Sequence, residues 1–316
     1  MNIKPIIKPI LNNLPFLYDR LRIGTGGTVS ARYCYSIWLR HLVKARGEGL
    51  AEIPRVVAEL GPGDSIGVGL AALLTGTSEY YALDLKEYAN IKRNLQIFDQ
   101  LVGLFKNRES IPDDKELDFV RPKLDSYDFP NSILPREYME KMLDKERVGA
   151  IRQQVENSVD EIGANITIKY IVPWDKQDKI KENSVDFFLS QAVMEHVKNP
   201  NHCYETISKW LKPGGYLSQD VDFRSHNMTW RWNSHWRLNS FLWRLLAGRK
   251  DWVINREPYS RHLEPIENTG LVLLTDQKTK DETGIKREEL SENFVYISDE
   301  DLITSGAYML ARKPIN

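Results

Sequence analysis

Cysteine is nearly absent from this chain, which carries only Cys34 and Cys203. Far apart and without any CxxC or Cys/His spacing, they exclude a disulfide framework and a cysteine-rich zinc site, and they fit a reducing, cytoplasmic location. An excess of one charge is lacking too, with Lys plus Arg at 43 against Asp plus Glu at 44. No basic field therefore speaks for a nucleic-acid partner. No apolar run approaches the roughly 20 residues of a membrane span, and the N-terminus lacks the apolar stretch and small-residue cleavage site of a leader. The opening "MNIKPIIKPILNNLPFLYDRL" mixes Lys with Ile, Leu and Phe, but prolines at 5, 9 and 15 oppose a long amphipathic helix. A segment packed on the domain is expected there. Repeats and low-complexity tracts are lacking.

What the 316 residues do contain is enough for one large α/β domain with insertions. Residues 1–52 read as a helical lid ending at Gly47 and Gly49, and 53–316 as the main domain. "VVAEL" and "EYYALDL" are strands bridged by a helix beginning near Ile66, which makes a βαβ unit and a parallel sheet. Residues 89–159 are a charged, helical insertion with a Pro- and Asp-rich break, expected to roof a ligand pocket or make a dimer contact. "ITIKYIV", "SVDFFLSQAV" and "GGYLSQDVDF" resume the strands, with "HCYETISKWLK" a helix between the last two. A second insertion, 224–262, holds five of the eight tryptophans and three of the six histidines. "GLVLLTDQKT" and "DLITSGAYMLARK" close the chain as an antiparallel pair of strands.

The strand–turn–helix at 55–76, "RVVAELGPGDSIGVGLAALLTG", has a glycine turn that lets backbone approach a ligand at a helix N-terminus. Alone it fits either the pyrophosphate of a dinucleotide or the amino-acid end of S-adenosylmethionine (SAM). Gly61, Gly63 and Gly67 are spaced one residue longer than the G-x-G-x-x-G fingerprint. Glu59, directly before the turn, would repel a pyrophosphate and suit an ammonium group. Asp84, about twenty residues on, is placed to accept hydrogen bonds from a ribose, which both ligands carry.

The stretch "SVDFFLSQAVMEHVKNPNHCYETISKWLKPGGYL" decides between them. Together with "ELGPGDSIGVG" and "ALDL" in the same order, it resembles the class I SAM-dependent methyltransferases. The likeness is to the branch with "EHV" after the fourth strand and "LKPGG" before the fifth, similar to small-molecule and polysaccharide-modifying members. The resemblance covers about residues 55–221, and the two final strands match the family's terminal hairpin. It implies a Rossmann-like seven-stranded sheet, mostly parallel with an antiparallel last strand, an enzyme, and SAM as cofactor across the strand ends. By position, Glu59, Gly61 and Gly63 would line the methionine end and Asp84 the ribose. Trp174 or Asp175 would meet the adenine, and Gln191 would face the methyl group. Glu195 and His196 are expected to hold the following helix. "RIGTGGTVSARYC" offers Arg32 or Tyr33 to the cofactor carboxylate, or else an ordinary helix cap by Thr28 or Ser30.

Methyl transfer to a hydroxyl needs a base, whereas an amine needs only to be unprotonated. Asp222 and His226, four apart beyond the fifth strand, are candidates for a carboxylate orienting an imidazole base. Trp232, Trp236 and Trp243 fit one face of a helix, and with Arg231, Arg237, Arg244 and Arg256 they allow a saccharide or sugar-nucleotide acceptor. Asp220 and Asp222 share a strand face, but two carboxylates are too few for a metal, and none is assigned. The expectation is an O-methyltransferase acting on a sugar or other polar hydroxylated small molecule, with a homodimer possible. An N- or C-methyltransferase and a non-catalytic SAM-binding scaffold are the alternatives.

Overall fold

The computed structural model describes residues 27–157, 165–176, 180–248 and 253–315. Trp252 and the whole of the opening segment lie outside these. Seven strands form one sheet: β1 (Val56–Leu60), β2 (Glu79–Leu83), β3 (Thr167–Ile171), β4 (Val185–Gln191), β5 (Leu211–Asp222), β6 (Val272–Lys280) and β7 (Thr304–Arg312). Their order is β3-β2-β1-β4-β5-β7-β6. β1 pairs in parallel with β2 on one side and β4 on the other, whereas β7 runs antiparallel to both β5 and β6. The chain thus winds outward in both directions from β1, and the crevice at the carboxyl ends of β1 and β4 is the switch point where such sheets take ligands. The apolar strands "VVAEL" and "VDFFLSQ" suit a sheet covered on both faces.

Helix α1 (Ala31–Gly47) precedes β1 and α2 (Gly67–Leu74) follows it. All eight residues of α2 are buried, which its Leu- and Ala-rich sequence requires, because the sheet, α1 and the next helix enclose it on every side. Gly69 in α2 lies so close to the Tyr80 ring that a Cβ there would overlap it. α1 starts where Ser30 accepts the Tyr33 N–H, so the cap expected at Thr28 or Ser30 is made by Ser30. It is a core element, with Trp38 Nε1 donating to Thr75 Oγ1 at 2.7 Å.

The first insertion holds α3 (Ile91–Asn107), α4 (Arg136–Met142) and α5 (Lys145–Asn157), with an irregular stretch at 108–135. Arg40 of α1 fastens that stretch to the core. Fully buried, it donates to the carbonyls of Pro112, Val120 and Pro122 and pairs with Asp114 at 3.3 Å. After β4 come α6 (Pro200–Trp210), β5, and the second insertion with α7 (Ser240–Ala247) and α8 (Tyr259–Asn268).

Two local expectations are corrected. Trp232, Trp236 and Trp243 do not share a helix: Trp236 sits in a short turn at Ser234–Arg237, Leu238 is extended, and Asn239 caps α7 afresh. The residues "DLI" of the last predicted strand form the end of helix α9 (Asp299–Ile303), capped by Ser298, and the strand begins only at Thr304.

Candidate functional site

The polar residues converge where β1, β2, β4 and β5 end. Gly61 turns there with φ +70°, and a Cβ on it would strike Val193 beyond β4, so only glycine lets the two strand ends close up. Gly63 also has positive φ, at +71°. Glu59 lies beneath this turn, buried, with Oε2 accepting from Tyr80 Oη at 2.5 Å. Burial lifts its acid to about 8, against the opposing bond from Tyr80. Asp84, at the tip of β2, accepts from the Leu85 N–H at 2.7 Å and from the Gly63 N–H, which ties it to the same turn. Burial raises it to about 6 even so. Thr28 closes the turn from the other side, its Oγ1 accepting the Asp64 N–H at 3.1 Å.

Trp174 donates its backbone N–H to the Asp84 carbonyl and buries its ring edge-on to Trp210, whereas Asp175 beside it is exposed. Arg32 is engaged with Glu116 at 2.6 Å. Tyr33 stands deeper, its phenol pushed far up by burial and by nearby acids that include Asp220, Glu59 and Glu195.

Gln191 is part of a buried polar chain that sequence reasoning did not find. Its Nε2 donates to Asp220 Oδ2 at 2.7 Å, which leaves Oε1 to accept from His41 Nε2 at 3.0 Å. His41 Nδ1 then accepts from Ser218 Oγ at 2.8 Å, and Ser218 from Tyr308 Oη. Burial lowers His41 to about 4, in keeping with one ring N–H and one lone pair. At the other end Arg121 of the first insertion reaches Asp220 with Nε at 2.5 Å and the Val221 carbonyl at 3.2 Å. Both partners are buried, and Gly306 of β7 leaves room for the guanidinium. Burial raises Asp220 to about 6 despite Arg121. His41 and Arg121 lie so far along the chain from their partners that no local spacing signals them.

Asp222 and His226 are brought together, with Oδ2 3.4 Å from Nε2. Arg224 binds the same carboxylate with two bonds of 2.8 Å. Burial alone would raise the Asp222 acid, but the bonds from His226 and Arg224 outweigh it and hold it well below the usual range. His226 takes a left-handed backbone, φ +48°, which turns its ring back to within 5.1 Å of the His196 ring. Glu195, 2% exposed, lies 3.9 Å from His226 Nε2, and among the described residues its carboxylate has no hydrogen-bond donor from another residue. Burial, followed by Asp222 and Asp220, pushes its acid well up. Holding the following helix falls to Asn199, whose side chain accepts the His202 N–H, rather than to Glu195 or His196. The arginines proposed to grip an anion are mostly engaged: Arg231 and Arg237 pair with Glu289, and Arg256 donates to two carbonyls and covers Trp243 and Phe294.

A family model described as a methyltransferase domain matches residues 138–218, which run from α4 into β5. No curated protein matches the chain in sequence. Among solved structures, an S-adenosylmethionine-dependent methyltransferase from Mesorhizobium loti is 12% identical, with TM-score 0.43 over 87% of this chain and 98% of that one. Geranyl diphosphate C-methyltransferase from Streptomyces coelicolor A3(2), in complex with Mg2+, geranyl diphosphate and S-adenosyl-L-homocysteine, is 11% identical, with TM-score 0.44 over 87% and 78%. Phosphoethanolamine N-methyltransferase 2 from Haemonchus contortus, in complex with S-adenosyl-L-methionine, is 13% identical, with TM-score 0.42 over 88% of this chain and 53% of that one. The outward-wound sheet with its reversed β7 is Rossmann-like, and residues 138–218 within it match a methyltransferase domain. No helix of the described residues is long and apolar enough to cross a membrane.

The Arg121–Asp220 pair is the most exacting contact of this site. Asp220→Ala leaves a buried guanidinium unpaired, and stability is expected to fall by about 3–5 kcal/mol in urea unfolding.

Proposed function

We propose that this chain is a SAM-dependent methyltransferase that O-methylates a sugar or another polar hydroxylated small molecule, a reading supported by the methyltransferase-domain match at 138–218. The observation that carries the reading is the His226–Asp222 pair at the carboxyl end of β5, 3.4 Å apart, beside the crevice where SAM binds. An imidazole braced by a carboxylate accepts the hydroxyl proton as the oxygen attacks the sulfonium methyl in line. Trp230, 80% exposed in the loop that begins at His226, offers a flat apolar face to a sugar ring. The engagement of Arg231, Arg237 and Arg256 within the protein favours a hydroxylated acceptor over a phosphorylated one.

For the cofactor, Glu59 takes the methionine ammonium, Gly61 and Gly63 let backbone approach it, and Asp84 receives the ribose hydroxyls. Trp174 or Asp175 borders the adenine, and Gln191 faces the methyl group. Of the lid at 1–52, the described residues 27–52 cover the cofactor side of the main domain, and the described parts of the two insertions flank the acceptor. The apolar outer face of α7, with Phe241 and Leu245 exposed, pairs two copies about a twofold axis. Two free, buried cysteines suit a cytoplasmic setting.

Three measurements test these assignments. With a hydroxylated acceptor, His226→Ala is expected to slow release of S-adenosylhomocysteine by about 10²–10⁴-fold while leaving SAM affinity intact; an unchanged rate refutes the base. Because the free Glu59 acid sits at about 8 and an ammonium ligand favours its carboxylate, SAM should bind more weakly as pH falls below 8. Calorimetry at pH 7 in buffers of different ionisation heat should then register a proton released on binding, absent in Glu59→Gln. Sedimentation should give a dimer that Leu245→Glu turns into a monomer.

A further inference from the structure

Glu195, His196 and His226 each offer one ligand atom, and these atoms lie within 4.8 Å of one another. One carboxylate and two imidazoles form the donor set of the borderline divalent transition ions. The cluster is assembled from separate parts of the chain, the turn at Met194–His196 after β4 and the loop that leaves β5.

A second observation points to a cation independently of that grouping. Glu195 is almost wholly buried, yet among the described residues no other side chain or neighbouring backbone donor reaches its carboxylate, which has only its own backbone N–H beside it. The acids around it have claimed the nearby arginines: Arg121 sits on Asp220 at 2.5 Å and Arg224 on Asp222 at 2.8 Å. Asp220, Asp222 and Glu195 thus share two guanidinium groups and the His226 imidazole. Glu195 is also held in place. Asn255 donates its N–H to the Glu195 carbonyl at 2.6 Å, and its side-chain amide to the carbonyls of Met194 and Val197 at 2.8 and 2.9 Å. A clamped turn of this kind fixes the direction of a ligand in advance. His226 is aimed in the same way, by its left-handed backbone and by the Ser225 N–H donated to the Trp232 carbonyl at 2.8 Å.

We propose that Glu195, His196 and His226 bind a divalent ion of the zinc and cobalt class, leaving open coordination positions toward the acceptor. Asp220 and Asp222, the strand acids first considered for a metal, are committed to their arginines and take no part as ligands. The proposal rests on the reading of this face as the acceptor's and deepens it. With an ion bound, His226 would be its ligand in place of acting as the base: the ion would lower the pKa of a coordinated hydroxyl, and the released proton would pass to bulk water as the oxygen attacks the methyl.

The test uses the full chain, stripped with a chelator and titrated with CoCl2, followed by visible absorption and by calorimetric stoichiometry. One cobalt per chain is expected. Glu195→Gln and His196→Ala should weaken binding at least tenfold, whereas His202→Ala, on the exposed surface, should not. Zinc should raise the melting temperature of the wild type and not that of Glu195→Gln, a near-isosteric change that keeps the turn. Absence of stoichiometric cobalt in the wild type, or equal binding by wild type and Glu195→Gln, overturns the site. Cobalt binding needs no turnover, so a chain that binds cobalt without methylating any hydroxyl refutes only the acceptor reading. One that methylates hydroxyls without binding cobalt refutes only the ion.

Discussion

The buried ion pair between Arg121 and Asp220 is the constraint on which the rest of the site depends. A guanidinium and a carboxylate both removed from water are tolerable only when geometry is good and their remaining donors and acceptors are engaged. Arg121 meets that demand by spending further donors on the Val221 carbonyl and Thr279, and Asp220 by taking the Gln191 amide. The first insertion is therefore pinned against the end of β5, and Gln191 can present only one orientation. The donors run from Tyr308 through Ser218, His41 and Gln191 to Asp220, so four parts of the chain, β7, β5, α1 and β4, share one hydrogen-bond direction that ends at Arg121's carboxylate partner.

A second constraint works on the other side of the crevice, through backbone rather than charge. Gly61 brings the end of β1 against Val193, and Asp84 binds the Gly63 N–H. The turn after β1, the tip of β2 and the segment after β4 are consequently one unit. Arg40, buried in α1 and bonded to three carbonyls of the insertion, joins that unit to the Arg121 side. The crevice has rigid walls because each wall is fastened to a neighbour distant in sequence.

Much of this architecture was legible beforehand, for physical reasons that can be named. Doubly covered parallel strands must be short apolar runs, and "VVAEL", "EYYAL" and "VDFFLSQ" are. An acid and a histidine four apart at a strand end need only one turn of chain to meet, as Asp222 and His226 do. Misreadings came where local pattern imitates another structure. Trp232, Trp236 and Trp243 have helical spacing, but Asn239 is a stronger cap than a helix interior residue, and it starts a new helix there. Arg121, His41 and the isolation of Glu195 have no local signature, because each is defined by partners brought from remote parts of the chain.

Gly306 carries a consequence for how this chain can change over generations. Any side chain at that position would occupy the volume of the Arg121 guanidinium. The two positions are on different elements and nearly two hundred residues apart, yet neither can drift alone. A larger residue at Gly306 therefore requires the Arg121 guanidinium to shift, and with it the contact that neutralises Asp220. Loss of a hydrogen atom's worth of space on β7 would thus appear, in a lineage, as a change in what the crevice accepts.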